Sequence, residues 1–313
     1  MKHKPKLIFM GTPDFAVPSL KALSENGYHV LTVVTQPDRP KGRGRKIIPS
    51  PVKEAAQHIG CDVMQPVSVK NKDFFDIISG LKPDMFIVVA YGHVLPKSIL
   101  AIPETGAINL HASLLPKYRG PAPIQWAIIN GEKETGVTTM LMDEGLDTGD
   151  ILLSSKEKIT EVDTSATLHD RLAVLGADLL IKTLKSLENN AITPIVQKHA
   201  GATYAPLLKK SNGRIVWGKN AEQISCFIRG VTPWPGAFTF QDNKRLKIFS
   251  AEPIRVETDE TPGTVIKGFP DELRIATGKG VLSVTEIQGA SGKRLLIKDF
   301  LMGNPMPPGA VLN

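Results

Sequence analysis

AINLHASLLPKYRGPAPIQWAIINGEKETGVTTMLMDEGLDTGDI, residues 107–151, is the stretch around which the rest of the chain is organised. Its first five residues alternate apolar and polar side chains, a pattern typical of a β-strand. Asn109 and His111 lie two positions apart on that strand, so their side chains point to the same face. Asn109 brings a hydrogen-bond donor and an acceptor, and His111 can hold or release a proton near neutral pH.

A second apolar run, 138–142, leads into the acidic loop 143–150, which carries Asp147 and two glycines. An amide, an imidazole and a carboxylate at strand ends can build a proton-transfer site. The same residue types also cluster in ordinary turns, and a single histidine at a strand end is more often structural. From the residues alone, catalysis by this trio is therefore a hypothesis that competes with a plain structural interpretation.

The flanking sequence predicts an α/β fold. Apolar runs at 6–10, 28–34 and 85–90 predict strands, and apolar positions with helical spacing lie between them. Such alternation predicts a doubly wound, Rossmann-like parallel sheet with right-handed crossovers. A ligand site is then expected at the carboxyl ends of the strands. The first turn, 11–13, lacks the G-x-G-x-x-G pattern, so a dinucleotide site is not inferred.

The pattern changes towards the end of the chain. Residues 191–208 contain prolines with little periodicity and predict a linker. Short strand patterns follow, two of them around a turn at 242–244. We predict a catalytic domain at 1–190 and a small β-barrel of the oligonucleotide-binding (OB) type at 209–313.

Composition narrows the class of protein. The 313 residues include two cysteines, Cys61 and Cys226, which are far apart and show no metal-ligand spacing, so we expect neither a disulfide scaffold nor a metal. The N-terminus has no apolar signal region, and the chain has no apolar run long enough to span a bilayer. These features predict a cytoplasmic protein without a membrane partner.

Charge is unevenly distributed. Residues 1–196 contain 22 of the 38 Lys and Arg residues and 21 of the 31 Asp and Glu residues, a net charge of +1. The remaining residues carry 16 cations and 10 anions, a net charge of +6. A basic region favours a polyanionic partner, although a modest excess also serves plain solubility. Residues 36–51, QPDRPKGRGRKIIPSP, carry five cations against Asp38 alone. This segment is too long for a routine connection and predicts a loop that grips phosphates or, alternatively, a solvated linker.

Several motifs together resemble a known family. Residues 109–120, NLHASLLPKYRG, followed by 147–150, DTGD, resemble the signature of the 10-formyltetrahydrofolate-dependent formyltransferases. Residues 9–16, 35–40 and 89–92 are similar to the branch of that family that acts on charged initiator tRNA. The resemblance is strong over the first two thirds of the chain, whereas the last third matches mainly in length and character.

The resemblance implies an activity. A formyl group would pass from 10-formyltetrahydrofolate to the α-amino group of methionine on initiator methionyl-tRNA, for use in translation initiation. Asn109 and His111 would stabilise the tetrahedral oxyanion, and Asp147 would orient His111 and help to take the proton from the amine. We predict a monomer that needs no metal.

The resemblance also implies binding residues. For the folate cosubstrate it implies one segment of four residues and three residues that line the pterin pocket: Ser113, Leu114, Leu115 and Pro116, with Tyr91, Met142 and Asp143. For tRNA it implies the basic loop, in which Arg43 would discriminate at the acceptor end, and we add two lysines at the start of the tail. The predicted tRNA-binding set is Arg39, Lys41, Arg43, Arg45, Lys46, Lys209 and Lys210.

Two other functions stay open at this point. Relatives that formylate a small amine, such as glycinamide ribonucleotide or a sugar amine, share the trio, but the basic loop and the +6 tail favour tRNA. An inactive folate or RNA binder is the third interpretation, and the complete set of Asn109, His111 and Asp147 argues against it.

Overall fold

The computed structural model describes residues 4–41, 46–268, 270–290 and 292–313. The chain forms two compact units. The first unit comprises 1–123, 134–158 and 169–205, and the second comprises 124–133, 159–168 and 206–313. In the described residues no helix is both long enough and apolar enough to cross a membrane.

The first unit is built on a seven-stranded sheet. The strands of the chain up to this point are β1 Lys6–Gly11, β2 His29–Val34, β3 Arg39–Lys41, β4 Lys46–Ile48, β5 Val63–Met64, β6 Met85–Val89, β7 Ala107–His111, β8 Glu134–Leu141 and β9 Ile151–Lys158. The helices are α1 Val17–Glu25, α2 Pro51–His58, α3 Lys72–Gly80, α4 Lys97–Leu100, α5 Pro123–Ile129 and α6 Ser165–Glu188. The sheet has the order β5-β2-β1-β6-β7-β8-β9. The first five strands in this order are parallel, and β8 runs antiparallel to both of its neighbours, β7 and β9. This topology confirms the predicted doubly wound sheet.

The apolar sequences of β1 and β6 explain the centre of this sheet. The two strands pair in register from Leu7 opposite Met85 to Gly11 opposite Val89, and every residue of β6 is buried. Continuous apolar strands suit a parallel sheet that is covered on both faces. Because β7 pairs with β6 in parallel, the ends of both strands, with Tyr91 and His111, lie at the same edge of the sheet.

The basic segment contains a short antiparallel ribbon where the sequence predicted a loop. Strands β3 and β4 pair from Arg39 opposite Ile48 to Lys41 opposite Lys46. Residues 42–45, which include the predicted tRNA-binding Arg43 and Arg45, lie outside the described residues. The ribbon leads into α2, where Ser50 caps the helix and accepts a hydrogen bond from the Lys53 amide.

The second unit holds an antiparallel sheet. Its further elements are α7 Ala221–Gly230, β10 Ala237–Gln241, β11 Lys244–Ile254, β12 Val265–Ile266, β13 Leu273–Ala276, β14 Val281–Gln288, β15 Arg294–Leu296 and α8 Ile297–Gly303. The order is β10-β11-β14-β13-β12, and β15 pairs with β14. The turn between β10 and β11 places Asp242 and Asn243 at positive φ, which matches the predicted tight turn.

The last residues of the chain join the two edges of this sheet. At one edge, the amide of Val265 on β12 donates to the Ala310 carbonyl at 2.7 Å. At the other edge, Phe240 and Asn313 exchange backbone hydrogen bonds of 3.0 and 2.9 Å. The terminal segment therefore bridges β12 and β10 and closes the curled sheet, in agreement with the predicted small barrel.

Candidate active site

Strand β7 carries the first two residues of the predicted trio. Asn109 is half-buried, and His111 is 6% exposed at the end of the strand. Asn109 stands between Val88 on β6 and Met140 on β8. Within the described part of the chain the Asn109 amide has no hydrogen-bond partner, so its donor and acceptor are available to a bound molecule.

A single backbone contact fixes the His111 ring. Its Nε2 lies 2.9 Å from the carbonyl oxygen of Tyr118. A carbonyl oxygen only accepts, so Nε2 is the nitrogen that donates its hydrogen here. Nδ1 then faces Oδ2 of Asp147 at 3.6 Å, beyond the length of a direct hydrogen bond. Nδ1 therefore stays accessible to a third group while it lies within the field of the carboxylate.

Asp147 arrives from the loop between β8 and β9. Its backbone is left-handed, with φ of 53°, a region in which Asp and Asn are tolerated better than most residues. Oδ2 accepts a 2.7 Å hydrogen bond from the Gly120 amide, and the described residues offer no donor to Oδ1. The structure thus brings Asp147 against His111, on whose strand face Asn109 also lies.

The acidic loop is closed by its own side chains. Oδ1 of Asp143 accepts hydrogen bonds from the Gly145 amide at 3.0 Å and from the Thr148 hydroxyl at 2.6 Å. Gly149 is buried against the Leu141 carbonyl, where a Cβ atom would collide with the oxygen. The exposed Asp143, predicted to line the pterin pocket, is therefore also the residue that shapes this turn.

The predicted folate-binding segment is tied to the sheet. The Ser113 hydroxyl is buried and donates to the Lys117 carbonyl at 2.6 Å. The Thr138 hydroxyl on β8 donates to the Ser113 carbonyl at 2.7 Å and accepts from the Leu115 amide at 3.2 Å. Leu114 and Pro116 are half-buried in the same loop. The segment is preorganised, and its contact with folate stays a prediction.

Tyr91 and Met142 belong to one apolar cluster. Tyr91 is 2% exposed, and burial raises the pKa of its phenol to about 12. Among the described residues the phenol oxygen has no hydrogen-bond partner. The oxygen is enclosed by the surrounding cluster, so the contact of Tyr91 with a pterin stays a prediction.

The predicted tRNA-binding residues fall into two separate groups. Arg39 is exposed on β3, and Lys41 and Lys46 occupy the facing ends of the ribbon. Lys209 and Lys210 are exposed in the second unit, where a 3₁₀ turn begins at Lys210. The exposure of Arg39, Lys209 and Lys210 leaves these three side chains available to a polyanion.

Two buried residues near the trio escaped the sequence analysis. Arg119 is 1% exposed, and Gln197, from the segment predicted as a linker, is 4% exposed. Arg119 donates from Nε and Nη2 to Oε1 of Gln197, at 3.2 and 2.7 Å. The two residues are 78 positions apart, and neither belongs to a pattern with a short spacing. Only the folded chain brings them together.

The described residues hold no group of three or more His, Cys, Asp or Glu side chains arranged for a metal ion. Cys61 and Cys226 are both free thiols.

Two family models match most of the chain. The one described as Formyl transferase covers residues 5–184, which include the trio. The one described as Formyl transferase, C-terminal domain, covers residues 207–305. A methionyl-tRNA formyltransferase from Caldanaerobacter subterraneus subsp. tengcongensis is 53% identical over 308 residues, which make up 98% of this chain and 99% of the relative.

Solved structures share the fold at low identity. WlaRD, a sugar 3N-formyl transferase crystallised in the presence of dTDP and 5-N-formyl-THF, has a TM-score of 0.67 at 20% identity, over 93% of this chain and 100% of its own. HypX from Aquifex aeolicus, in complex with tetrahydrofolic acid, has a TM-score of 0.61 at 18% identity, over 96% of this chain and 47% of its own.

Proposed function

Because this chain belongs to the formyl transferase family, we propose that it transfers a formyl group from 10-formyltetrahydrofolate to the α-amino group of methionine on initiator methionyl-tRNA, giving N-formylmethionyl-tRNA. The observation that carries the chemistry is the pairing of the buried His111 with the half-buried Asp147. The Asn109 amide, which has no partner among the described residues, shares a strand face with His111. The similarity to a methionyl-tRNA formyltransferase along nearly the whole chain favours the tRNA acceptor over a small amine.

The folate cosubstrate supplies the formyl group, and the three residues of the trio stabilise the developing charge and move the proton. Negative charge develops on the formyl oxygen when the amine attacks. The Asn109 amide and a proton on Nδ1 of His111 would donate to that oxygen. The backbone contact of Nε2 keeps the ring in place for this task. Removing one such donor typically lowers the rate by a hundredfold or more.

The attacking amine must lose a proton as its bond to carbon forms. The Asp147 carboxylate would take it, directly or through water, because Oδ1 is left without a donor while Oδ2 is held by the Gly120 amide. The charge of Asp147 also stabilises a protonated His111 ring 3.6 Å away. The bond between the formyl carbon and N10 of the folate would then break, and N10 would take up the proton held by Asp147, so that tetrahydrofolate leaves and the amine stays formylated.

A face of the barrel supports contact with tRNA. We use the term cation–aromatic face for the side chains on one side of β10 and β11, namely the buried Phe238 together with Phe240, Arg245, Lys247 and Phe249. On the other side of these strands Ala237, Thr239, Leu246 and Ile248 are buried. The Arg245 guanidinium lies 3.8 Å from the centre of the Phe238 ring. Cations interleaved with aromatic rings bind phosphates and unstacked bases.

The ribbon supplies the second basic region. Asp38, at its root, is paired with Lys53 at 2.6 Å, so this carboxylate is already engaged by a residue outside the ribbon. Arg39 therefore keeps its charge for a partner, and we extend the same role to Lys41, Arg43, Arg45 and Lys46. Lys209 and Lys210 would contribute from the second unit.

The test is incubation with charged initiator tRNA and a labelled formyl donor, beside a panel of small amines. We expect label on methionyl-tRNA alone. Label on glycinamide ribonucleotide or a sugar amine alone would replace the proposed acceptor, and folate binding without any transfer would mark an inactive binder. Asp147→Asn, which keeps the size and the left-handed backbone tolerance of Asp, should bind both substrates and turn over at least about a hundredfold more slowly.

This function places the protein in the cytoplasm, where initiator tRNA is charged and used. We expect it to work as a monomer, with limits of 1–190 for the catalytic part, 191–208 for the connection and 209–313 for the tRNA-binding part. Gel filtration with light scattering tests the oligomeric state.

A further inference from the structure

The amide of Gln197 has only one possible orientation. A guanidinium only donates, so Oε1 must face Arg119, from which it accepts two hydrogen bonds. Nε2 then donates to the carbonyl oxygens of Asp147 at 3.0 Å and Gly149 at 2.7 Å. Every donor hydrogen of the amide and its oxygen are used, in a buried setting where such bonds are hard to replace with water.

These bonds hold the backbone on which the carboxylate depends. The left-handed residue is Asp147, and its own carbonyl and that of Gly149 begin and end the short turn that follows it. A left-handed backbone is unfavourable for a non-glycine residue, and it persists where hydrogen bonds from the surroundings fix it. Gln197 provides this restraint. Its two donor hydrogens fix the peptide groups that follow Asp147 and Gly149.

The same segment holds the other loop of the site. The Tyr118 amide donates to the Thr203 hydroxyl at 2.8 Å, and the Arg119 amide donates to the Thr203 carbonyl at 2.8 Å. The Ala205 amide then donates to the Arg119 carbonyl at 2.7 Å. This loop supplies the Tyr118 carbonyl to His111 and, one residue later, the Gly120 amide to Asp147.

Residues 197–205 are therefore bonded to both loops that define the distance between His111 and Asp147. We propose that this segment, through Gln197 on one side and Thr203 on the other, positions the Asp147 carboxylate against His111. Arg119 acts behind Gln197 and keeps its amide turned the right way. The proposal rests on the proposed function, since it assigns these residues a role in that same transfer.

The main variant is Gln197→Glu, with Val196→Ala as its control. Glutamate keeps the size of the side chain and the contact with Arg119, but it turns an acceptor towards two carbonyls. A displacement of about 1 Å at a catalytic group can cost a hundredfold, so we expect kcat to fall about 10–100-fold. KM for the folate donor and for methionyl-tRNA should stay within about twofold, since no substrate contact is lost. Val196 is an exposed neighbour, and its change should leave kcat unaltered.

A double-mutant cycle separates positioning from a general loss of fold. In the Asp147→Asn background, Gln197→Glu should lower kcat by less than about threefold, because the residue acts through the missing carboxylate. Full multiplication of the two effects would overturn the proposal, as would a wild-type kcat for Gln197→Glu alone. If Asp147→Asn itself turns over normally, the proposed function of Asp147 fails instead, which is a different result.

Thr203→Val provides an independent test of the proposal if Gln197→Glu does not fold. Valine keeps the shape of threonine and removes the acceptor for the Tyr118 amide. The expected result is again a loss in kcat without a change in KM, and again a smaller loss in the Asp147→Asn background. Unchanged kcat, or a loss confined to KM, would contradict the proposal.

Discussion

Gly149 shows how closely the loop that carries Asp147 packs against β8. A Cβ atom at this position would meet the Leu141 carbonyl, which is part of β8, whereas at Gly145 it would meet the Thr148 hydroxyl. A hydroxyl can rotate away and a strand backbone cannot. We predict that Gly149→Ala lowers the free energy of unfolding by about 1–3 kcal/mol and displaces Asp147, with a loss of kcat of at least tenfold.

Gly145→Ala is the matched control for that prediction. It should cost less than about 1 kcal/mol and leave most of the turnover, because only the Thr148–Asp143 contact must adjust. Urea unfolding and initial-rate kinetics on both variants give the comparison. Equal losses in the two variants would show that the loop responds as a whole and that the strand carbonyl is not the obstacle.

The residues of the site differ in how far the sequence reveals them. Asn109 and His111 are two apart on one strand, so their shared face follows from strand geometry. Asp147 stands in the acidic loop that follows the second apolar run, and the motif resemblance favoured a catalytic role for it over a structural one. Gln197 is a polar residue in a proline-containing stretch without periodicity, and its role depends on a guanidinium 78 residues away. Arg119 gave no sign of burial in the sequence, since a charged residue is rarely buried without a partner and the sequence does not show the partner.

Among the elements, the ribbon of β3 and β4 depends on a charged anchor at its root. Oδ2 of Asp38 accepts from Lys53 at 2.6 Å, and Oδ1 accepts from Gln65 at 2.7 Å. The hydrogen bond from Lys53, followed by the one from Gln65, lowers the pKa of Asp38 below its ordinary value of 3.8. The folded state thus favours the ionised form more than the unfolded state does, so this anchor stabilises the protein at neutral pH.

The sign of the pH dependence follows directly. The contribution of Asp38 is fully present above its ordinary pKa, and it is lost as the pH falls through the lower pKa of the folded state. We predict that Asp38→Asn speeds hydrogen exchange in residues 46–53 at pH 7, and that the difference from the wild type shrinks steadily towards pH 3. Exchange measured by mass spectrometry at several pH values tests this. A difference that is constant with pH would assign the effect to lost hydrogen bonds and not to charge.

The cation–aromatic face makes a second prediction at this scale. Lys247 is exposed on β11, opposite Phe238 on β10. If it contacts a tRNA phosphate, Lys247→Ala should weaken binding of methionyl-tRNA and reduce the slope of log K against log salt by about one. Lys279, exposed between β13 and β14, serves as the control, and its change to Ala should leave the slope alone. Fluorescence titrations between low and physiological salt provide both numbers.

Sequence patterns identified the long elements better than the short ones. The parallel strands and α6 carry sustained apolar periodicity, whereas β3 reads Arg-Pro-Lys and has nothing apolar to alternate. Helix α8 begins at Ile297, directly after the short strand β15, so the change from strand to helix falls within an apolar run. Local residue preference is weak over such short stretches. Residues 294–296 form a strand because they pair with β14.

For the molecule as a whole, the closed barrel depends on its final residues. Leu312 is 2% exposed, while its neighbour Val311 is 49% exposed, on the segment that joins β12 to β10. We predict that Leu312→Ala lowers the free energy of unfolding by about 2–5 kcal/mol, and that Val311→Ala changes it by less than about 1 kcal/mol. Thermal unfolding of both variants measures the difference. Similar melting temperatures would show that the closure contributes little to stability.

The second unit is assembled from three separate parts of the chain, and this has a consequence for how such proteins can change by recombination. Within that unit, Arg229 on α7 donates to the Asp163 carbonyl at 2.8 Å, and Gly230 fits closely against Ile129. A gene crossover near codon 206 would replace residues 206–313 with those of another protein. The new residues would then have to pack against the original segments 124–133 and 159–168. Offspring of such a cross keep a working tail only if those two short segments travel with it. The tail is thus inherited as three linked pieces, although along the gene it resembles a single detachable module.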